Sequence, residues 1–134
     1  MLLCDVISGS VPITLITLVL ADNSAVCRRA IKLSLEAEPN IKLVGEAICF
    51  ADVMRMCGEL KPNVLVMDLR MPDGREFDTS LTKSHLLGCA KHVLAMSVWV
   101  DQESKALAAD YGVAKLLDKA CLGSELIPAI VQGC

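Results

Sequence analysis

Short, unbroken apolar runs alternate along this chain with longer stretches in which apolar residues recur every three or four positions. The plainest run is Asn63-Val64-Leu65-Val66-Met67, which leads straight into Asp68 and is followed by Pro72 and Asp73-Gly74. A short run without polar interruption reads as a strand buried on both faces, and the turn formers end it. Asp68 then falls at the carboxyl end of a central strand, the edge where open α/β sheets bind ligands. Taken alone, Asp68 reads equally well as a turn or helix-capping aspartate.

Four further runs predict strands over residues 14–20, 41–47, 91–97 and 113–119. Residues 41–47 alternate most, as a half-exposed edge strand does. Between the runs the spacing predicts helices. The first covers 25–37, capped by Ser24 or Asn23, with Cys27, Ala30, Ile31, Ser34 and Leu35 inward and Arg28, Arg29 and Lys32 on another face. The second covers 51–60, with Val53, Met54, Cys57 and Leu60 inward. A weaker helix is expected over 76–87, a fourth over 101–110 that stops at Gly112, and a last one from Gly123-Ser124 to about Val131. Strict alternation of strand and helix predicts an α/β architecture: a doubly wound parallel sheet with helices on both faces.

Composition adds limits. The 134 residues suffice for one domain and not two. Hydrophobic residues make up 54% but aromatics only 3%, so the core must be aliphatic, and the few aromatics argue against a base-stacking platform for single-stranded nucleic acid. A formal charge of −3 gives no basic footprint for nucleic acid. The seven cysteines are scattered without a C-x-x-C pair, which reads as small hydrophobes in a reducing cytosol. Met1 to Leu20 is apolar, but Asp5, Gly9, Pro12 and the lack of a basic start argue against a signal peptide or membrane span. Residues 1–13 are expected to be a loose extension before a domain over 14–134.

The predicted strand ends carry the chemistry. Asp22 and Asn23 follow the first strand, Asp68 ends the third, Ser97 the fourth and Lys119 the fifth. Parallel strands all end on one edge, so the fold would gather these residues. Carboxylates there suit a hard divalent cation, and an ammonium and a hydroxyl suit an anionic phosphate oxygen. Together they are equipment for phosphoryl transfer, with a carboxylate available as nucleophile. Singly, Lys119 reads as a solvated lysine, and Ser97 and Asp22 as helix caps; it is their joint fall on strand ends that argues for a site.

At these residues the chain resembles a receiver domain of two-component response regulators, of the kind found in front of helix-turn-helix output domains. The stretch from Leu35-Glu36-Ala37-Glu38-Pro39-Asn40 to Val44-Gly45-Glu46-Ala47 is similar to that subfamily's first helix exit and second strand. The stretch Glu59-Leu60-Lys61-Pro62-Asn63 through Met67-Asp68-Leu69-Arg70-Met71-Pro72 is similar to its approach to the phosphorylated aspartate. The resemblance implies a flavodoxin-like five-stranded sheet of order 2-1-3-4-5. It also implies a phosphorelay switch, not an enzyme, in which Asp68 accepts a phosphoryl group from a histidine kinase or phosphotransfer protein with Mg²⁺. Asp22, Asn23, Asp68 and the carbonyl of Arg70 would hold the metal, with Ser97 as switch hydroxyl and Lys119 pairing with the phosphoryl group. The family further implies a homodimer or partner surface on helix four, strand five and helix five, a cytoplasmic location, and no direct contact of this chain with nucleic acid or membrane.

The sequence also departs from that family. Asn23 stands where a second aspartate is usual, so weaker Mg²⁺ binding is expected. Leu116 replaces the usual Tyr or Phe, Val98 the usual very small residue, and Ala120 a frequent proline; Asp73-Gly74-Arg75-Glu76 reads as an altered loop. These changes leave open a degenerate receiver that acts as a phosphorylation-independent interaction module. A flavin binder would need a Gly/Ser/Thr-rich phosphate loop after the first strand, which the sequence lacks.

Overall fold

A computed structural model describes residues 14–76, 83–86, 88 and 90–133. Its strands are β1 (Ile16–Ala21), β2 (Ile41–Ala47), β3 (Val64–Asp68), β4 (His92–Ser97) and β5 (Lys115–Asp118). All pair in parallel, in the order β2-β1-β3-β4-β5. The helices are α1 (Ala25–Glu36), α2 (Phe50–Leu60), α3 (residues 83–86 and 88), α4 (Gln102–Tyr111) and α5 (Leu122–Gln132). The α/β, flavodoxin-like arrangement predicted from the alternation and the resemblance is the one observed. Most of the helix expected over 76–87 lies outside the described residues, and Glu76 closes a 3-10 turn, Gly74–Glu76. The extension over 1–13 lies outside them altogether.

The period-two geometry of the strands divides their side chains between two cores. Val19, Ala21, Leu65, Met67, Val93 and Ala95 face the side covered by α2, α3 and α4, where Phe50, Val53, Leu86, Ala108 and Tyr111 complete the packing. Leu18, Leu20, Val64, Val66, Leu94 and Met96 face α1 and α5, against Ile31, Leu35, Leu126 and Ile130. The central strand β3 is buried from Val64 to Met67, as its unbroken apolar run predicts. The edge strand β2 is buried only at its two ends.

Some expected inward positions turn out otherwise. Ala30 and Ser34 of α1 are exposed, and Leu60 at the end of α2 is 45% exposed. Each sits at the margin of its apolar stripe, beside the residues that are buried: Ile31 and Leu35 in α1, and Cys57 in α2. Strand β1 starts two residues later than expected, because Thr14 and Leu15 lie outside the ladder and are exposed. No helix among the described residues is long and apolar enough to cross a membrane.

Helix ends follow local chemistry. Ser24 caps α1 by accepting the Cys27 N–H at 3.2 Å, and Asp101 caps α4 by accepting the Ser104 N–H at 2.8 Å. Gly112 ends α4 with φ 71°, where the missing Cβ avoids a backbone penalty.

Candidate phosphoacceptor site

The carboxyl edge of the sheet gathers the predicted residues. Asp22 follows β1 directly, and its backbone N–H continues the β1–β2 ladder by donating to the Ala47 carbonyl at 3.0 Å. Asp68 is the last residue of β3 and pairs in register with Met96, one residue before Ser97. Ser97 in turn pairs with Asp118, and Lys119 comes next. Side chains from four strand ends therefore share one edge although up to 97 residues separate them in sequence.

Lys119 is the centre of the geometry. Its Nζ donates to Asp22 Oδ2 at 2.7 Å and stands 3.6 Å from Asp68 Oδ2. Asp22 is wholly buried, and its other carboxylate oxygen accepts the Ser24 N–H at 2.9 Å. Asp68 keeps 16% of its side chain exposed and accepts a long 3.4 Å bond from the Arg70 N–H. One carboxylate is thus fully engaged, and the other is loosely held and open to solvent. Burial pushes the Asp68 carboxyl above the ordinary carboxylate range; the Lys119 charge pulls it down and the Asp22 charge raises it again. For Lys119, burial opposes the charge, but the bond to Asp22 and the two carboxylates outweigh it and hold the ammonium above its ordinary value.

The Ser97 hydroxyl is almost fully buried and accepts the Trp99 N–H at 3.2 Å, which ties the β4–α4 loop to the strand end. Asn23 is exposed beside Asp22. Arg70 lies in the loop after β3, and its guanidinium donates to the buried Ser104 hydroxyl of α4 at 3.2 Å.

Four features were not legible in the sequence. Arg28, expected on a solvent-covering face, folds back so that Nη1 donates to the Asp22 carbonyl at 2.6 Å. The Cys27 thiol bonds to Asp22, and burial with that carboxylate lifts its pKa to about 11, so it stays protonated. Asp73, read as a loop residue, caps α2 through the Phe50 and Ala51 N–H groups at 2.7 and 3.1 Å. Val98, which stands where the family usually has a very small residue, is 62% exposed and lines a cleft of about 570 Å³ between α1 and α5, with Cys27 and Lys119. The cap expected at Ser24 or Asn23 marks the first turn of α1, but no local signal gives the direction of a long arginine side chain.

The donors at this edge are oxygens: two carboxylates, the Asn23 amide and the backbone of Arg70. They suit a hard cation; the Asp22 carboxylate already accepts from Lys119 and Ser24, which leaves Asp68 the more open of the two. Among the described residues there is no group of three or more His, Cys, Asp or Glu side chains arranged to hold a metal.

A parallel sheet in this order, with an acidic pair and a lysine at its carboxyl edge, is the architecture of a receiver. The chain belongs to the response regulator receiver domain family, which residues 18–131 match. It is 28% identical over 118 residues to the transcriptional regulatory protein LiaR of Bacillus subtilis, covering 87% of this chain and 54% of that protein. It is 29% identical over 116 residues to protein-glutamate methylesterase/protein-glutamine glutaminase 2 of Cereibacter sphaeroides, covering 84% of this chain and 31% of that protein. The chain thus spans from about a third to just over half of the length of these relatives. The structure is similar to the signal receiver domain of the response regulator NarL from Mycobacterium tuberculosis. The TM-score is 0.76 at 22% identity, and 89% of this chain and 95% of that one are covered. Receiver domains interact with histidine kinases or phosphotransfer proteins and bind Mg²⁺ at the phosphorylation site as a family property.

Proposed function

We propose that this chain is a working phosphorelay switch with Asp68 as the phosphoacceptor. The observation that carries the reading is Lys119, whose ammonium contacts the buried Asp22 while standing 3.6 Å from the half-open Asp68 carboxylate. A cation in that position neutralises the anionic nucleophile's surroundings and can follow a phosphoryl oxygen as charge arrives. An Asp68 carboxylate oxygen attacks the phosphorus of a phosphohistidine; the P–N bond breaks, and the departing imidazole nitrogen takes a proton. Mg²⁺, when bound, supplies charge neutralisation for the transferring group, and Asp22, Asn23, Asp68 and the Arg70 carbonyl are the residues that would hold it.

The new phosphate brings charge and three acceptor oxygens. Lys119 and Ser97 engage them. When Ser97 turns toward the phosphate it gives up the Trp99 N–H, and the loop into α4 is released to move. The altered surface lies on α4, β5 and α5, and serves a partner protein or a second copy in the cytoplasm. On this reading the chain switches an interaction and is not an enzyme.

A docking module that needs no phosphate draws on Asn23, Leu116 and Val98. The charge arrangement around Asp68 favours the switch. Intact-protein mass after incubation with acetyl phosphate and Mg²⁺ tests it. One phosphate adduct is expected on the wild type and none on Asp68→Asn; a wild type that never gains phosphate, even at high Mg²⁺, refutes the switch.

A further inference from the structure

We propose that Arg28 is a positioning residue for the cation and phosphoryl site, acting through the backbone of Asp22; the inference rests on the phosphoacceptor reading above. Arg28 lies in the first turn of α1, its own N–H bonded to the Ser24 carbonyl. A cation in the first turn of a helix works against the helix dipole, and this turn contains no acidic residue to offset it. The position is therefore electrostatically costly to α1 itself, and what it gains lies outside the helix. The guanidinium folds back over the helix N-terminus and donates to the Asp22 carbonyl at 2.6 Å, a short charge-assisted bond.

The other side of the guanidinium is anchored. Nε meets Glu46 at 3.3 Å, and Lys32, one turn further along α1, holds the second Glu46 oxygen at 3.0 Å. Glu46 belongs to β2, so Arg28 ties the β1–α1 loop to the neighbouring strand. The Arg28 side chain is only 19% exposed. With this bond every polar group of Asp22 has a partner: its N–H the Ala47 carbonyl, its carbonyl Arg28, and its carboxylate Ser24 and Lys119. Asp22 is then fixed in direction, and Asn23, peptide-bonded to the carbonyl that Arg28 holds, is presented from a rigid loop. This matters more here because Asn23 contributes no charge and must rely on placement.

The sign of one measurement separates positioning from charge. By Coulomb's law a nearby guanidinium repels a divalent cation, so removing its charge should tighten Mg²⁺ binding. Removing a residue that orients metal ligands should weaken it, on the order of 10-fold. Mg²⁺ titration by calorimetry on the whole chain, beside a melting curve, is the test. Arg28→Ala is expected to weaken Mg²⁺ binding about 10-fold. Arg28→Lys, which keeps the charge but cannot fork to both partners, is expected to recover part of the loss. Arg29→Ala removes the same charge from the exposed face of α1 and is expected to leave affinity unchanged or slightly tighter. Should Arg28→Ala fail to fold, Arg28→Met, which removes the same charge and both bonds but keeps the stem, is expected to weaken binding about 10-fold. Unchanged or tighter binding in the folded Arg28→Ala or Arg28→Met variant, with a wild type that binds, overturns the positioning role alone. A wild type that binds no Mg²⁺ overturns the metal-assisted reading and this inference with it.

Discussion

Asp22 is wholly buried and meets a cation in Lys119 at 2.7 Å, so the pair behaves as a buried salt bridge and not as a surface one. Removing one partner of such a pair leaves an uncompensated charge, which costs about 3–5 kcal/mol. Lys119→Met is therefore expected to lower stability by about 3 kcal/mol in urea titration, and adding Asp22→Asn to it should restore most of the loss. The pH dependence follows from the shifts. Lys119 is raised above its ordinary 10.5, so its contribution is complete below that value and disappears only as pH rises through the higher folded value. Asp68 is also raised, from 3.8, so the folded state holds its proton more tightly than the unfolded one. Its contribution is present below pH 3.8 and falls as pH rises through the folded value. Asp68→Asn should remove that fall and raise the melting temperature at neutral pH, with the gain over the wild type vanishing below pH 3.8. At this scale the sequence named Asp22, Asp68 and Lys119 from their strand ends. It could not name Arg28, because a flexible side chain chooses its direction from partners that only folding supplies.

At the scale of elements, α2 begins without a cap of its own: Cys49 makes no side-chain bond to the helix. The first N–H groups are satisfied instead by Asp73, 23 positions along the chain from Phe50. Asp73→Ala should cost about 1–2 kcal/mol by the loss of this cap, read as a lower urea midpoint with unchanged m-value. The same aspartate ties the loop after Asp68 to α2. By contrast α4, capped by Asp101 and ended by Gly112, is bounded by its own sequence, and the expected limits differ from the observed ones by a single residue at each end. The loop between Ser97 and Asp101 exposes Trp99 at 65%. The only tryptophan in the chain therefore sits beside the switch hydroxyl as a ready fluorescent reporter.

At the scale of the molecule, the sheet brings two carboxylates and one ammonium together, with the neutral Asn23 exposed beside them. Asn23→Asp would add a third carboxylate to this edge. Without metal the variant should be less stable than the wild type, since the new charge faces Asp22 and Asp68. With Mg²⁺ the order should narrow or reverse. A site made tenfold tighter gains about 1.4 kcal/mol over the wild type at the same saturating concentration. Melting temperature against Mg²⁺ concentration reads this directly: the slope should be steeper for Asn23→Asp, and equal slopes would show that Asn23 does not face the ion.

The sequence by itself determined the alternation of strands and helices, the burial of β3, the edge character of β2 and the strand-end positions of Asp22, Asp68, Ser97 and Lys119. These rest on short-range rules: side-chain periodicity, turn formers and the common direction of parallel strands. The strand order came from resemblance, because alternation is compatible with several windings. Only the tertiary structure decided that Lys119 leans on Asp22 in preference to Asp68, that Arg28 turns inward, and that Asp73 caps a distant helix. Each of these is a choice among partners far apart in the chain, settled by which charge is most deeply buried and which backbone groups would otherwise lack a bond.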